Sequence, residues 1–293
     1  MSTKIGAPFR AAHPPRRLVG ASRSLLTCAA LGALVAGCTT SGSSSGGSGT
    51  DRPGTVRAPG ANVAFDYQLG GAYQPPGGVR AVSRDRGAKP TPGLYNICYV
   101  NAFQTQPGKA IGWWKRHHSE LLLKKDGELV VDEDWNEPLL DISTADKREA
   151  LMKIVGPWLD GCAEAGFDAV EPDNLDSYER SKGELTTKDA VAFARLLAER
   201  AHQRHLAIAQ KNSTDLLPQH SRIGFDFAVV EECAHYKECG EYAKAYDDRL
   251  FDIEYVPEDF TAACRRYGDD LSVTLRDRDV RPAGEKGYVA KRC

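Results

Sequence analysis

The sequence predicts a single (β/α)8 barrel, and three observations carry that prediction. Eight short apolar runs of strand length alternate with segments whose apolar residues recur at helical spacing. No G-x-G-x-x-G or P-loop pattern follows any of these runs, which removes the main support for an open nucleotide-binding sheet. Polar residues, namely Glu171, Asp173, Lys211, Asn212, Glu231, Glu254 and Arg276, fall at or just past the carboxyl ends of the runs. In a barrel those ends converge on one face, where active sites are built.

The first strand is expected in residues 65–71, an aromatic run with Asp66 and Gln68 alternating on one side before Gly70-Gly71 stops it. Residues 77–93 read as a loop, with Pro75, Pro76, Pro90 and Pro92 among its breakers. Residues 94–100 form the second strand and lead into Asn101. Trp113, Trp114, His117 and His118 follow in a helical or irregular connection. Neighbouring histidines point in different directions and no carboxylate pattern completes a metal site, so no metal is expected.

Residues 135–142 are taken as the third strand, with boundaries blurred by Pro138. Ser143-Thr144-Ala145-Asp146 starts a helix with a capping box in which Asp stands for the commoner Glu. Leu151, Ile154, Val155, Trp158, Leu159 and Cys162 mark its apolar face, and Pro157 is expected to kink or split it. Residues 167–170 are the fourth strand. Thr186 or Thr187 caps the next helix, whose apolar side carries Val191, Ala194, Leu196, Leu197 and Ala201. Residues 206–209, 225–229, 251–256 and 271–275 complete the eight strands, the sixth delivering Glu231-Glu232-Cys233 and the last ending at Arg276. The stretch from there to Cys293 lacks strong periodicity.

The N-terminus stands apart from this pattern. Lys4, Arg10, Arg16 and Arg17 precede an apolar run over residues 25–36, too short for a membrane span and suited to a signal peptide. It ends in Leu34-Val35-Ala36-Gly37-Cys38, which matches a bacterial lipoprotein signal with the thiol of Cys38 carrying the lipid. A plain secretory signal and twin-arginine export through Arg16-Arg17 are the alternatives. The Ser- and Gly-rich residues that follow read as a flexible tether. The expected organisation is a signal over 1–37, a lipidated tether over 38–60 and a catalytic domain over 61–293, anchored to the membrane outside the cytoplasm. At 41% apolar and 27% charged the chain is an ordinary globular one, and a net charge of −2 gives no electrostatic case for nucleic acid.

Export changes how the cysteines read. With Cys28 and Cys38 removed, Cys98, Cys162, Cys233, Cys239, Cys264 and Cys293 stand in an oxidising compartment and are expected to form disulfides. Six cysteines allow 15 pairings, so the connectivity stays open.

The chemistry concentrates in Gly166-Phe167-Asp168-Ala169-Val170-Glu171-Pro172-Asp173-Asn174-Leu175-Asp176-Ser177-Tyr178. A buried strand exits there into three carboxylates within six residues, and acids so close resist ionising together. Asp173 and Glu231, from the fourth and sixth strands, would flank a substrate bond across a barrel mouth. Glycosidic cleavage needs such a pair, one protonated at the leaving oxygen and one ionised. Tyr67, Tyr99, Tyr178, Tyr236 and Tyr255 could supply hydroxyl or stacking contacts to sugar rings.

These blocks, with Phe65-Asp66-Tyr67-Gln68-Leu69, Ile97-Cys98-Tyr99, Lys211-Asn212, Glu231-Glu232-Cys233, Tyr236, Cys239 and Phe251-Asp252-Ile253-Glu254-Tyr255, resemble glycoside hydrolase family 114 over about residues 63–278. That family comprises the endo-α-1,4-polygalactosaminidases. The resemblance implies a TIM barrel that cleaves galactosamine polymers with retention, the essential Asp falling on Asp173 and the essential Glu on Glu231. Where the family more often has Asn-Glu-Gln-Cys, this chain has Val230-Glu231-Glu232-Cys233, which leaves Glu232 as a rival. Asp66, Tyr99, Glu171, Asn174, Asp176, Lys211, Glu254, Tyr255 and Arg276 are the candidate substrate-binding residues. The expected partner is an amino-sugar polysaccharide, met by a monomer that needs no cofactor. A non-catalytic polysaccharide-binding lipoprotein on the same barrel, and a metal-dependent hydrolase, are the alternatives.

Overall fold

A computed structural model describes residues 55–293. The proposed signal peptide, Cys38 and all but the last residues of the tether lie outside them. Eight parallel strands follow the chain around one sheet: β1 (Phe65–Tyr67), β2 (Ala81–Asp85), β3 (Tyr95–Asn101), then, past an excursion, β8 (Ala169–Asp173), β9 (Ala207–Lys211), β10 (Phe227–Glu231), β11 (Leu250–Glu254) and β12 (Ser272–Arg276). Thr274 Oγ1 donates to the Phe65 carbonyl at 3.3 Å, drawing the last parallel strand onto the first. A short antiparallel strand, β13 (Ala290–Arg292), lies on β12. The sheet is a nearly closed (β/α)8 barrel.

The excursion between β3 and β8 holds α1 (Lys109–His117) and two small hairpins. The hairpins are β4 (Lys124–Lys125) with β5 (Glu128–Leu129), and β6 (Val131–Asp132) with β7 (Glu137–Pro138). Helix α2 (Ala145–Ala165) follows. The remaining helices are α3 (Ser177–Arg180), α4 (Thr187–Gln203), α5 (His220–Ile223), α6 (Cys233–Tyr236), α7 (Cys239–Tyr246) and α8 (Pro257–Tyr267). Among the described residues no helix is long and apolar enough to cross a membrane.

Two cores follow from the alternation of side chains along a strand. Phe65, Tyr67, Ala81, Ile97, Ala169, Ala207, Ala209, Phe227, Val229, Phe251 and Ile253 fill the barrel. Their even-numbered neighbours, such as Cys98, Val100, Val170, Ile208, Ala228 and Val230, pack outward against the helices. From β3 to β11, odd-numbered side chains point in and even-numbered ones point out.

Two strand assignments require correction although the total of eight stands. Residues 77–93 contain β2, and residues 135–142 contribute no barrel strand. Buried on both faces, β2 shows no alternation, and its Pro- and Gly-rich flanks hide it. Leu139, Leu140 and Ile142 mimic a core strand because they are fully buried in the outer core. Pro157 does not split α2, since Leu151, Val155 and Leu159 pack both sides of it into the core. The cap is Thr144, whose side chain accepts from Lys147 N, one residue later than the predicted Ser143. The helix ends at Gly166 in the left-handed region (φ 93°), where Gly avoids a Cβ clash. Thr186 caps α4 in a reciprocal capping box with Asp189.

The six cysteines pair as Cys98–Cys162, Cys233–Cys239 and Cys264–Cys293. The first ties the outward face of β3 to α2 across 64 residues of chain, a closure that the chain-entropy model values at about 4 kcal/mol.

Candidate active site

At the carboxyl end of the barrel, inward positions of β1, β8, β9 and β10 converge on one ammonium. Lys211 closes β9, and its Nζ stands 3.2 Å from Asp173 Oδ1, 3.4 Å from Glu231 Oε2 and 3.6 Å from Glu171 Oε1. The same group donates to the Tyr67 hydroxyl at 3.2 Å. Placing an ammonium here removes several kcal/mol of hydration. That burial acts to lower its pKa, but Asp173, Glu231 and Glu171 outweigh it and hold Lys211 protonated, above the ordinary lysine value.

The acids around it differ in exposure. The Asp173 and Glu231 side chains are 19% and 23% exposed, whereas those of Glu171 and Lys211 are 0% and 3% exposed. Asp173 and Glu231 are therefore the carboxylates a ligand in the mouth can touch, with Lys211 beneath them. Glu171 accepts from Tyr67 at 2.8 Å and from Ser83 at 2.6 Å. Burial nevertheless pushes its carboxyl up to about 7 against the pull of Lys211 and Ser83, because the ammonium is shared three ways.

Each exposed acid also has its own donors. Asp173 accepts from Tyr99 at 2.6 Å and from the Asn174 amide at 2.8 Å. Glu231 accepts from the Tyr255 hydroxyl, and its own amide donates to Asn212 Oδ1 at 2.8 Å. Burial first, and then the neighbouring carboxylates, raise Tyr67, Tyr99 and Tyr255 well above the usual tyrosine range, so all three remain donors. In the register of β3 with β8, Tyr99 lies opposite Glu171 and Asn101 opposite Asp173.

A second tier fixes the loop after β8. Asn174 takes a positive φ of 66°, which Asn tolerates, and its Nδ2 donates to Asn101 Oδ1 at 2.9 Å. Asn101 donates to Glu137 at 2.9 Å. Burial pushes the Glu137 carboxyl up to about 8, with Asp173 and Asp132 adding to that shift and Asn101 opposing it. Arg180 reaches Asn174, Asp176 and Asp132 at 3.2, 2.8 and 2.8 Å.

The cluster thus unites Tyr99, Glu171, Asp173, Lys211, Glu231 and Tyr255, with Asn174 at its edge and Asp176 one step behind through Arg180. Three other candidates lie elsewhere. Asp66 points the opposite way from Tyr67 and accepts from Gln68 and Tyr73, each at 2.8 Å. Arg276, 1% exposed, donates to the carbonyls of Val289 and Arg281, both at 2.8 Å, and holds the C-terminal segment. Glu254 points outward from β11 and accepts from the Ala234 amide at 2.7 Å. The rival Glu232 adopts φ 60° and accepts from Arg278 at 2.7 Å, away from Lys211. Among the described residues, one group could offer three metal ligands: Cys233, Cys239 and Asp252. Its sulfurs are joined in a disulfide, so neither is a thiolate.

Ser83 and Glu137 escaped the sequence prediction. Ser83 lies in the unread strand β2, and Glu137 sits in the excursion that resembled a strand. The available signal was the apolar Ala81-Val82 ahead of Ser83.

A (β/α)8 barrel with two solvent-reachable carboxylates at its mouth provides the pair of carboxyl groups that glycoside hydrolases use. The chain belongs to glycoside hydrolase family GH114, whose family profile matches residues 48–293. Among solved structures it is similar to Aspergillus fumigatus Ega3 in complex with galactosamine, with 26% identity and a TM-score of 0.65 over 82% of this chain and 98% of that one. It shares its fold with the glycoside hydrolase domain of PelA from Pseudomonas aeruginosa, at 17% identity and a TM-score of 0.55 over 76% of this chain and 97% of that one. A comparison with curated proteins found no match.

Proposed function

We propose that this glycoside hydrolase cleaves α-1,4 bonds in a galactosamine-containing polysaccharide, with Asp173 as nucleophile and Glu231 as acid and base. The observation that carries this is the single ammonium of Lys211 in contact with both exposed carboxylates. A shared contact of this kind limits how far apart the two acids can lie, and the range it allows includes the roughly 5–5.5 Å spacing of retaining enzymes. Asp173 accepts three hydrogen bonds to its ionised form, from Tyr99, Asn174 and Lys211. Fewer donors face Glu231, which suits the group that must gain and lose a proton.

In the first step an Asp173 oxygen bonds to the anomeric carbon as the glycosidic C–O bond breaks. Glu231 gives its proton to the departing oxygen. In the second, Glu231 takes a proton from water while that water's oxygen displaces Asp173 from the anomeric carbon. Lys211 holds the acids in place and limits their mutual repulsion.

Three carboxyl groups line the mouth, and their oxygens offer acceptors that favour an unacetylated, cationic amino sugar. The galactosamine bound by the similar Ega3 supports that substrate class. The three disulfides fit an oxidising compartment and support action outside the cytoplasm. Anchoring through Cys38 and action as a monomer complete the proposal.

The test is product analysis on galactosamine polymers of defined acetylation, with wild type beside Asp173→Asn and Glu231→Gln. Wild type is expected to release oligomers, and each variant to lose at least about 10³-fold in turnover while still folding and binding polymer. Binding without cleavage by the wild type would instead establish a polysaccharide-binding protein.

A further inference from the structure

Asp252 and Glu254 lie two residues apart on β11, face away from the barrel interior and are fully buried. Among the described residues neither makes an ion pair. Asp252 Oδ1 faces the Cys233 amide at 3.4 Å, and Glu254 Oε1 accepts from the Ala234 amide at 2.7 Å. Two consecutive amides at the start of α6 therefore engage one oxygen of each carboxyl. The other two oxygens, Asp252 Oδ2 and Glu254 Oε2, are buried with no donor from any third group. At positions i and i+2 of one strand, the two side chains sit side by side on the same face of β11. Ionised together, two carboxylates buried side by side would repel each other and leave both orphaned oxygens unsatisfied, whereas one proton between them satisfies both.

We propose that Asp252 and Glu254 share a single proton, and that the protonated pair is a positioning clamp for Glu231. Its two arms adjoin the residues that matter. Cys233 and Ala234 follow Glu231 by two and three positions, and Glu254 immediately precedes Tyr255, whose hydroxyl donates to Glu231. The Glu232 amide also donates to the Ile253 carbonyl at 2.8 Å, so the ends of β10 and β11 are tied at the level of the carboxylate.

The charged groups facing the pair favour keeping its proton. Glu232, on the β10–α6 turn, is offset by Arg278 at 2.7 Å, and Asp259, on α8, stands 2.9 Å from His235 of α6. The Cys233–Cys239 disulfide carries no charge. Burial pushes Glu254 up to about 7, and burial followed by the charge of Glu254 raises Asp252. A carboxyl raised on folding contributes stability that is fully present below its unfolded value, about 4, and is lost as pH rises through the folded one. Loss of the proton would set two buried negative charges against each other and spread the turn that carries Glu231.

Glu254→Gln makes the protonated pair permanent, since its carbonyl can accept from Ala234 and its amide can donate to Asp252. Asp252→Asn does the same from the other side. Difference infrared spectra of wild type against each variant near pH 6 are expected to show a buried carboxylic-acid C=O stretch that both variants lack. Wild-type melting temperature is expected to fall as pH rises from about 5 to 8, and the fall to flatten in the variants. The alkaline limb of kcat/KM on a galactosamine polymer is expected to move to higher pH, with the ratio of activity at about pH 8 to that at about pH 6 rising several-fold. Variants matching wild type in infrared and melting profiles overturn the shared proton. An unmoved pH–rate limb in a variant whose other two profiles change overturns the positioning role. Only the kinetic readout rests on the proposed substrate, so failure of that substrate leaves the infrared and melting measurements to decide the proton.

Discussion

Two of the places where the barrel buries carboxylates handle them in opposite ways. Inside the mouth, Glu171, Asp173 and Glu231 surround the ammonium of Lys211. Outside the sheet, Asp252 and Glu254 face no cation among the described residues, and the proposal gives them one shared proton. A cation lets acids stay charged next to substrate and so available for attack on carbon. A shared proton removes the repulsion between two acids and frees the carboxyls to hold backbone amides. The two solutions lie on adjoining strands because a strand end must both present chemistry inward and be held from outside.

Removing the cation should have the largest effect. Lys211→Met keeps most of the apolar stem of the side chain but leaves three buried or half-buried carboxylates uncompensated. Breaking a buried ion pair in this way costs about 3–5 kcal/mol. Denaturant unfolding should show a loss of that order near neutral pH, with activity reduced at least as severely as in Asp173→Asn. Full stability in Lys211→Met would mean that the acids in the mouth are also managed by protons, and the contrast would collapse.

Tyr255→Phe and Tyr99→Phe come next. Each removes one donor from Glu231 or Asp173 without touching Lys211. A loss of about 1–2 kcal/mol in transition-state stabilisation, roughly 5- to 30-fold in kcat/KM, is expected for each. Unchanged kinetics would assign the whole organisation of the site to the lysine.

Glu171→Gln sharpens the comparison from within the mouth. Glu171 is the one acid of the cluster whose burial raises it to about 7, so it behaves partly like the outer pair. Its stabilising contribution is complete below about pH 4 and disappears as pH rises through about 7. Melting temperature followed across that range should decline less in Glu171→Gln than in wild type. An equal decline would show that Lys211 keeps Glu171 charged throughout.

Much of this contrast was legible in the sequence, and the part that was not shows where the physics lay. Strand ends bearing Asp173, Lys211 and Glu231 located the mouth because polar residues at the ends of apolar runs have little reason to be there otherwise. Alternation along a strand also separates Tyr255 from Glu254 and Tyr67 from Asp66, a distinction available from odd and even positions alone. Asp66 and Glu254 were grouped with the mouth by charge, but the pleat turns them outward. The central place of Lys211 depended on three dimensions, since no local pattern tells a lysine at a carboxylate crossroads from one that faces solvent. Glu137 was hidden more deeply, because the chain of Asn101, Asn174 and Arg180 that connects it to Asp173 joins β3, the excursion and the β8–α3 loop.

The smallest effect is expected where both outer acids are neutralised together. Asp252→Asn with Glu254→Gln keeps shape and leaves an acceptor for each α6 amide, while replacing the shared proton with amide hydrogens. Exchanging both members of a buried polar pair is far milder than orphaning one. Below about pH 5, where the native pair is protonated, the double variant should lie within about 1 kcal/mol of wild type by denaturant unfolding. Above about pH 8 it should be the more stable of the two, because it has no proton to lose. Chemical denaturation at both pH values reads this crossing directly. A double variant destabilised equally at both would show that the outer carboxyls act through their shape and amide contacts, with no titrating proton between them.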